Sequence, residues 1–436
     1  MTTLPPTRLR RQVGLSGAIL MGLGSIVGTG VFVSIGIAAG IAGAAMIVGV
    51  VVGALIALSN GFNSAQLAAS HPVSGGSYEY GYKYLSSWAG FTAGWMFLWA
   101  KTASAATAAL GFSSYLLVAI GLDGRGLTVP IAVGSVVVLT AIVLGGIQGS
   151  NRANTVIVSI TLTALLTLVL AGIPTAWTMG HQHLTPFVAT ASGAPVNPIA
   201  AVLHASALMF VAYTGYGRIA TLGEEVVEPR RIIPRAIVIT MLITLVLYVA
   251  VALVSVATVG APVLSAAVTN GSAPLEFVAR ATGIPGVPQL VTIGAITAML
   301  GVLLNLLLGL SRVLLAMGRR GDMPRCMAQL NAKGTTPPWA VVTVGSTIVL
   351  LALVGNVKTT WSFSAFTVLI YYAITNVAAL KIPASQLLYP RWLAWVGLVG
   401  CLFLAFWVDR QIWLIGLGII ALGLVWHWAA QSARRE

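Results

Sequence analysis

The sequence predicts an all-α polytopic membrane protein of twelve transmembrane helices. It reads as a 5+5 inverted repeat with two further helices at the end, and with helices 1 and 6 broken. Three observations predict this. Only 7% of the 436 residues are charged while 58% are hydrophobic, against about 25% charged in a soluble domain, so a bilayer is the solvent that such a surface fits. The apolar residues fall in runs long enough to cross it, at about 20 residues each. Glycines then cluster inside the first and the sixth run, at matching places in two halves of the chain.

Taken in order, the runs lie near 14–40, 43–70, 88–118, 127–147, 153–175, 198–222, 233–259, 287–317, 339–355, 360–381, 392–408 and 411–430. Residues 1–13 form a basic tail. The first repeat covers 14–175 and the second 198–381, and 392–430 holds the two additional helices. Five spans precede the second repeat, so it enters from the opposite face, which makes the repeats inverted. The connections 175–197 and 260–286 are rich in Pro, Gly, Ala and Thr and read as outer loops with room for short helices.

Basic residues orient the spans. With the N-terminus inside, cytoplasmic segments hold sixteen Lys and Arg, among them Arg8, Arg10, Arg11, Arg152, Arg230, Arg231, Arg319, Arg320 and Lys333. The outer loops hold four, namely Arg125, Arg280, Lys358 and Arg410. This asymmetry predicts cytoplasmic termini in an inner (cytoplasmic) membrane. The net charge of +14 therefore reports topology. No basic arm with interleaved aromatics points to nucleic acid. Cys326 and Cys401 are the two cysteines, too few for a thiolate metal site or a disulfide framework. No metal or cofactor is expected, and the scattered His181 and His183 read as wet outer-loop residues. Trp88, Trp95, Trp99, Trp361, Trp392 and Trp407 read mostly as interfacial anchors.

The first run contains Gly22, Gly24, Gly28 and Gly30 in mid-span. Glycine costs a helix interior roughly 1 kcal/mol relative to alanine, so a helix meant only to span would not gather four. Unwound backbone at this depth is tolerated where it is buried in protein or lines a cavity. Around Met209–Arg218 the sixth run repeats the pattern with Gly215 and Gly217. At a break one half-helix offers free N–H groups and the other free carbonyls. Gly28, Thr29 and Gly30 offer the former, with a hydroxyl on Thr29. Ser25, Ile26, Phe210, Val211 and Ala212 offer the latter, and Thr214 and Gly215 complete the second break. A carboxylate fits one end and an ammonium the other, which is the charge pattern of an α-amino acid. Close packing through small residues is the plainer reading of Gly24 and Gly28, but it leaves the second cluster unexplained.

At these residues the chain resembles the amino acid–polyamine–organocation (APC) superfamily. Gly24-Ser25-Ile26-Val27-Gly28-Thr29-Gly30-Val31-Phe32 is similar to its G-S-x-x-G-x-G-x-F motif. His71-Pro72-Val73-Ser74-Gly75-Gly76-Ser77-Tyr78-Glu79-Tyr80 is similar to its motif after span two. Phe210-Val211-Ala212-Tyr213-Thr214-Gly215-Tyr216, Glu224-Glu225 and Glu228-Pro229-Arg230-Arg231-Ile232-Ile233-Pro234-Arg235 resemble its sixth span and exit. Ser311-Arg312 and Arg319-Arg320-Gly321-Asp322-Met323-Pro324 resemble its S-R and R-D-G-x-x-P. The resemblance spans nearly the whole chain. It implies the leucine-transporter-type fold and secondary active transport of amino acids or amines by alternating access. The chain departs from the family at Thr161, where many members carry a span-five lysine, at Gly217 and Arg218 after the sixth-span aromatic, and at Val211, where a gating aromatic is frequent.

Lys101 falls near the middle of span three, and all nine acidic residues lie near span ends or in loops. A cation at that depth is costly and marks a functional position. Its ammonium must meet carbonyls, hydroxyls, water or substrate, or lose its proton part of the time. Lys101 is therefore the candidate for coupling a proton to transport in place of the missing lysine. A lysine that merely caps hydroxyls is the plain alternative. Sodium is the rival ion, with Thr161 and Thr297 as hydroxyl ligands, although such threonines also bond back to their own helices. Glu224, Glu225 and Arg231 are candidates for an inner gate, or for a solvated loop anchor.

A channel would show a repeated filter or a charge ring, and a membrane enzyme converging acids, His or Cys at membrane depth. Neither pattern is present. The sequence thus predicts a proton-linked transporter of neutral α-amino acids, with sodium symport or amino acid/polyamine exchange as alternatives and the lipid bilayer and the amino acid as its partners.

Overall fold

The computed structural model describes residues 13–73, 75–122, 126–146, 151–188, 190, 197–220, 225–271, 273–332 and 334–432. Nearly all of the tail at 1–13, the gate candidate Glu224, and Arg8, Arg10, Arg11, Arg125, Lys333, Arg434 and Arg435 lie outside them. Among the described residues the regular structure is helical, and one isolated bridge pairs Val13 with Val226.

The first apolar run gives α1 (Leu15–Ile26), α2 (Thr29–Phe32) and α3 (Ser34–Ala42), because Val27 and Gly28 leave the helical region between α1 and α2. The chain continues as α4 (Met46–Ser70), α5 (Ser77–Tyr84), α6 (Ser87–Ala119), α7 (Thr128–Leu144) and α8 (Asn151–His183). Next come α9 (Pro198–Tyr213), a 3₁₀ turn at Thr214–Tyr216, and α10 (Gly217–Ala220). Then follow α11 (Pro229–Thr269), α12 (Pro274–Ala281), α13 (Val287–Arg320), α14 (Pro338–Ala352), α15 (Val357–Leu380), α16 (Trp392–Ala405) and α17 (Arg410–Ser432). Among the described residues eight helical stretches are long and apolar enough to cross a membrane, and four shorter apolar helices accompany them, at Leu15–Ile26, Thr128–Leu144, Pro338–Ala352 and Trp392–Ala405.

Local chemistry sets several boundaries. The Asn197 side chain accepts from the N–H groups of Ile199 (3.0 Å) and Ala200 (3.3 Å) with Pro198 opening α9, the arrangement that satisfies orphan donors at a helix start. Asn356 caps α15 in the same way through Thr359. Gly321, at φ 78°, ends α13 in the left-handed conformation that glycine adopts at no cost. α11 outruns the expected span by crossing Gly260, at φ 79°, so much of the expected outer loop at 260–286 is helix. α8 likewise runs through Pro174 to His183. This corrects the outer-loop reading of His181 and His183, for the helix carries both, and His183 Nδ1 lies 2.9 Å from the Ala257 carbonyl oxygen.

The interior is built from small residues. α6 packs between α13 and α15 and buries Ala103, Ala105, Ala106, Ala108 and Ala109 completely. Dispersion over close backbones is what holds helices together where lipid removes the hydrophobic drive. A buried amide ladder joins α4 and α15. Asn63 donates to Asn376 (2.7 Å), Asn376 to Asn60 (2.6 Å), and Gln66 to Asn63 (3.2 Å). Each amide finds partners, which makes the ladder a register device instead of a penalty. α1 lies against α8, α11 and the 3₁₀ turn, and α2 and α3 against α9, so the two interrupted runs meet inside the bundle.

Candidate substrate site

The two interruptions pack directly on one another. A side chain on Gly30 would stand 2.7 Å from the Ala212 Cβ, closer than real Cβ atoms approach. One on Gly215 would overlap the Ser25 carbonyl and stand 2.6 Å from the Ile26 nitrogen. Gly28 is backed by Val302 of α13, at 2.7 Å from where its Cβ would be. Gly30 and Gly215 are required by backbone approach, the condition under which a broken span can be buried, while at Gly28 the close neighbour is a side chain.

The breaks are not alike. At the first, α2 starts at Thr29 with no side chain capping it, so N–H groups of its first turn lack intrahelical acceptors. Thr29 is 4% exposed and its Oγ1 has no hydrogen-bond partner among the described residues. The second is tightened into a 3₁₀ turn where a break with free carbonyls was expected. Thr214 supplies the reason: its hydroxyl donates to the Val211 carbonyl at 2.8 Å, holding the turn closed and occupying one of the expected free acceptors.

Aromatic donors cap the carbonyls that the breaks release. Tyr248 of α11 donates to the Ile26 oxygen at 2.8 Å and lies 3.4 Å from the Ala212 oxygen, so one hydroxyl spans both breaks. Tyr115 donates to Phe32 (3.0 Å) and Tyr372 to Thr214 (3.3 Å), while Trp361 donates to the Leu208 carbonyl within α9 (3.0 Å). Trp361 is thus a buried donor at 3% exposure, which corrects its reading as an interfacial anchor. Sequence reasoning missed Tyr115, Tyr248 and Tyr372. The available signal was a hydroxyl-bearing ring inside an apolar run, where water cannot be its partner.

Lys101 meets this site. Its Nζ donates to Thr214 Oγ1 at 2.9 Å, so the mid-span ammonium reaches the second break through the hydroxyl that closes it. Among the described residues no carboxylate forms an ion pair with Lys101. Phe210 is fully buried with its ring against Tyr372. The other candidates sit apart from this cluster. Thr161 is buried on the face of α8 that carries Asn154 and Val158 toward Gly24, and its hydroxyl donates to the Ile157 oxygen at 2.7 Å. Thr297 donates to the Ile293 oxygen at 2.8 Å. Arg231 forms an exposed pair with Glu228 at 3.8 Å, the class of contact worth about 0–1 kcal/mol. The Glu225 backbone accepts from the Val13 N–H at 3.0 Å.

Removing the Tyr248 hydroxyl tests how the breaks are held. Tyr248→Phe leaves the Ile26 and Ala212 oxygens without their donor. Thermal unfolding in detergent should register a loss of about 1–3 kcal/mol, the cost of an unsatisfied buried acceptor. An unchanged melting temperature would mean that the carbonyls have other donors.

Residues 17–430 match the amino acid permease family model. The chain belongs to the amino acid permease family. Among curated relatives it is 38% identical over 430 residues to an uncharacterized transporter of Mycobacterium tuberculosis, covering 99% of this chain and 92% of that one. It is 26% identical over 362 residues to a branched-chain amino acid permease of Bacillus subtilis, covering 79% and 74% respectively. It is also 26% identical over 374 residues to cationic amino acid transporter 1 of Arabidopsis thaliana, covering 82% of this chain and 60% of the relative. The family and the apolar helices together identify a multi-pass membrane transporter. The resemblance to the APC superfamily seen in the glycine motifs is thereby established at the level of the family.

Proposed function

We propose that this permease carries α-amino acids with neutral side chains across the cytoplasmic membrane by alternating access, with Lys101 linking transport to protons. The observation that carries the reading is the Thr29 hydroxyl. It is buried, it stands at the start of α2 beside uncapped N–H groups, and it has no partner among the described residues. A substrate carboxylate would satisfy it. The ammonium of the same molecule would turn to the Ile26 and Ala212 carbonyls, which now share one tyrosine hydroxyl. Gly28, Gly30, Phe210, Val211, Thr214 and Gly215 frame that space.

Side-chain preference follows from charge. No carboxylate among the described residues stands at Lys101 or the breaks to receive a second ammonium, and the Lys101 ammonium would repel one. This favours the substrate type named for the Bacillus relative over that named for the Arabidopsis one. The same hydrogen bond from Lys101 to Thr214 supports coupling. Loss of the Lys101 proton would remove the positive charge and weaken the charge-assisted hydrogen bond at the turn that shapes the site. The hydroxyls of Thr161 and Thr297 keep lone pairs for sodium, but each already bonds to its own helix.

The architecture that supports alternating access is twelve spans, ten of them in two inverted repeats of five and two more at the C-terminal end. α1–α3 count as span one and α9–α10 as span six, α5 and α12 lie outside the count, and both termini are cytoplasmic. The two interruptions then take equivalent places in the repeats. A panel of radiolabelled amino acids on protein reconstituted in liposomes, with and without sodium and a pH gradient, tests this reading. Branched and small neutral amino acids should be taken up, driven by an inward proton gradient and indifferent to sodium. Selective uptake of arginine or polyamines, or a strict need for sodium, would overturn it.

A further inference from the structure

One face of α13 runs from the broken spans toward the inner end of the helix. Ala298 and Val302 on this face meet Gly28 at the first break. Steps of three and four residues then carry the face through Asn305, Gly309, Arg312, Ala316 and Arg319, a spacing that keeps side chains on one side of a helix. Gly309 looks into open space, with nothing within 4 Å of the position of a Cβ. Arg312 is exposed. At the end of this face lies a cavity of about 570 Å³ lined by Glu79, Arg312, Leu315, Ala316, Arg319 and Arg320.

The arginines of this cavity differ in their commitments. Arg320 is taken: its guanidinium holds both oxygens of Glu79, at 2.6 and 2.8 Å, and lies 4.1 Å from the centre of the Tyr82 ring. Among the described residues no carboxylate forms an ion pair with Arg312 or Arg319. Arg319 belongs to the last turn of α13, where a cation complements the helix dipole and needs no further reason. Arg312 lies two turns deeper, about 12 Å from the helix end at 1.5 Å per residue. The dipole does not account for it there, and a cation at that depth marks a pathway or a ligand. Arg218 of α10, the continuation of the second broken span, lies near enough to Arg312 for their like charges to repel, and is drawn to Glu225. Arg312 therefore faces the inner half of the same span whose outer half forms the site.

We propose that Arg312 is a second, inner carboxylate subsite, which holds the amino acid's carboxylate between the breaks and the cytoplasm. A guanidinium presents a planar fork that matches a carboxylate with two parallel hydrogen bonds. The open position beside Gly309 and the small side chain of Ala316 leave room for the rest of the molecule. The inference rests on the amino acid reading given above and adds a place where the substrate pauses on its way in.

Flux measured separately from each side, in vesicles of one orientation, tests it. Arg312→Gln should raise the half-saturating concentration on the cytoplasmic side about tenfold, the scale of one lost charge-assisted contact, and leave the outer one unchanged. Arg312→Lys, which keeps the charge without the fork, should recover part of the shift and reads the site on its own if the glutamine variant does not reconstitute. An unmoved cytoplasmic value, or an equal shift on both sides, overturns the subsite, the latter because a general structural defect is not sided. A phosphate headgroup offers similar chemistry, so the phosphatidylglycerol content of the vesicles is varied. Wild-type flux that depends on that lipid, with the dependence lost in Arg312→Gln and the cytoplasmic value unmoved, would assign the cavity to lipid and overturn the proposal. Wild-type vesicles that carry no amino acid overturn the function itself; wild-type carriage with an unshifted variant overturns only the subsite.

Discussion

Gly215→Ala should lower initial uptake on the order of 100-fold, the scale on which a shift of about 1 Å at a site acts. The added methyl would meet the Ser25 carbonyl and the Ile26 nitrogen. Both are backbone atoms, so no rotamer change can make room, and the first break must move away from the second. Overpacking of this kind also costs about 1–3 kcal/mol of stability, which thermal unfolding in detergent would register alongside transport in liposomes. Gly30→Ala, against Ala212, should act in the same direction. Gly134→Ala is the control, since a methyl there has nothing within 4 Å and replacing glycine inside a helix is mildly favourable. Full uptake by Gly215→Ala at normal expression would show that the breaks do not need their close contact, and would remove the site as drawn.

Lys101→Gln should cost at least about tenfold in uptake, as expected for loss of a charge-assisted hydrogen bond, and should flatten the pH dependence of what remains. Glutamine can still donate to Thr214 Oγ1, so the turn keeps a partner while the titrating amine is gone. That separates coupling from scaffolding. A variant that keeps both the wild-type rate and the wild-type pH profile would reduce Lys101 to a cap on a hydroxyl. Thr214→Val is the reciprocal change: it keeps the ammonium but takes away its acceptor at 2.9 Å. If Lys101 acts through the turn, the two variants should share a phenotype and combine less than additively.

Much of this was legible in the sequence because it rests on local rules. Hydropathy alone located the apolar runs, and their bounds fall within a few residues of the helix ends for most helices. The exceptions are α8 and α11, which run on through Pro174 and past Gly260. Proline and glycine are strong stops in water, and they hold less firmly where neighbouring helices re-satisfy the backbone. The glycine clusters marked the broken spans, since no packing rule requires four glycines in mid-span. Lys101 was conspicuous because a cation at that depth is rare.

What the sequence by itself determined, then, is membrane residence, the order of the helices, the positions of the interruptions and the family. Each follows from short-range periodicity, composition or motif order. Only the tertiary structure decided how the interruptions are held. Gly215 sits on the Ser25–Ile26 peptide, Gly30 sits on Ala212, and Tyr248 reaches from α11 to carbonyls on both broken spans. It also decided that the second interruption is a closed 3₁₀ turn with Lys101 on its hydroxyl. These contacts join residues far apart along the chain. Their partners are set by which helix faces come together, and a buried carbonyl accepts from whatever donor the packing brings within reach.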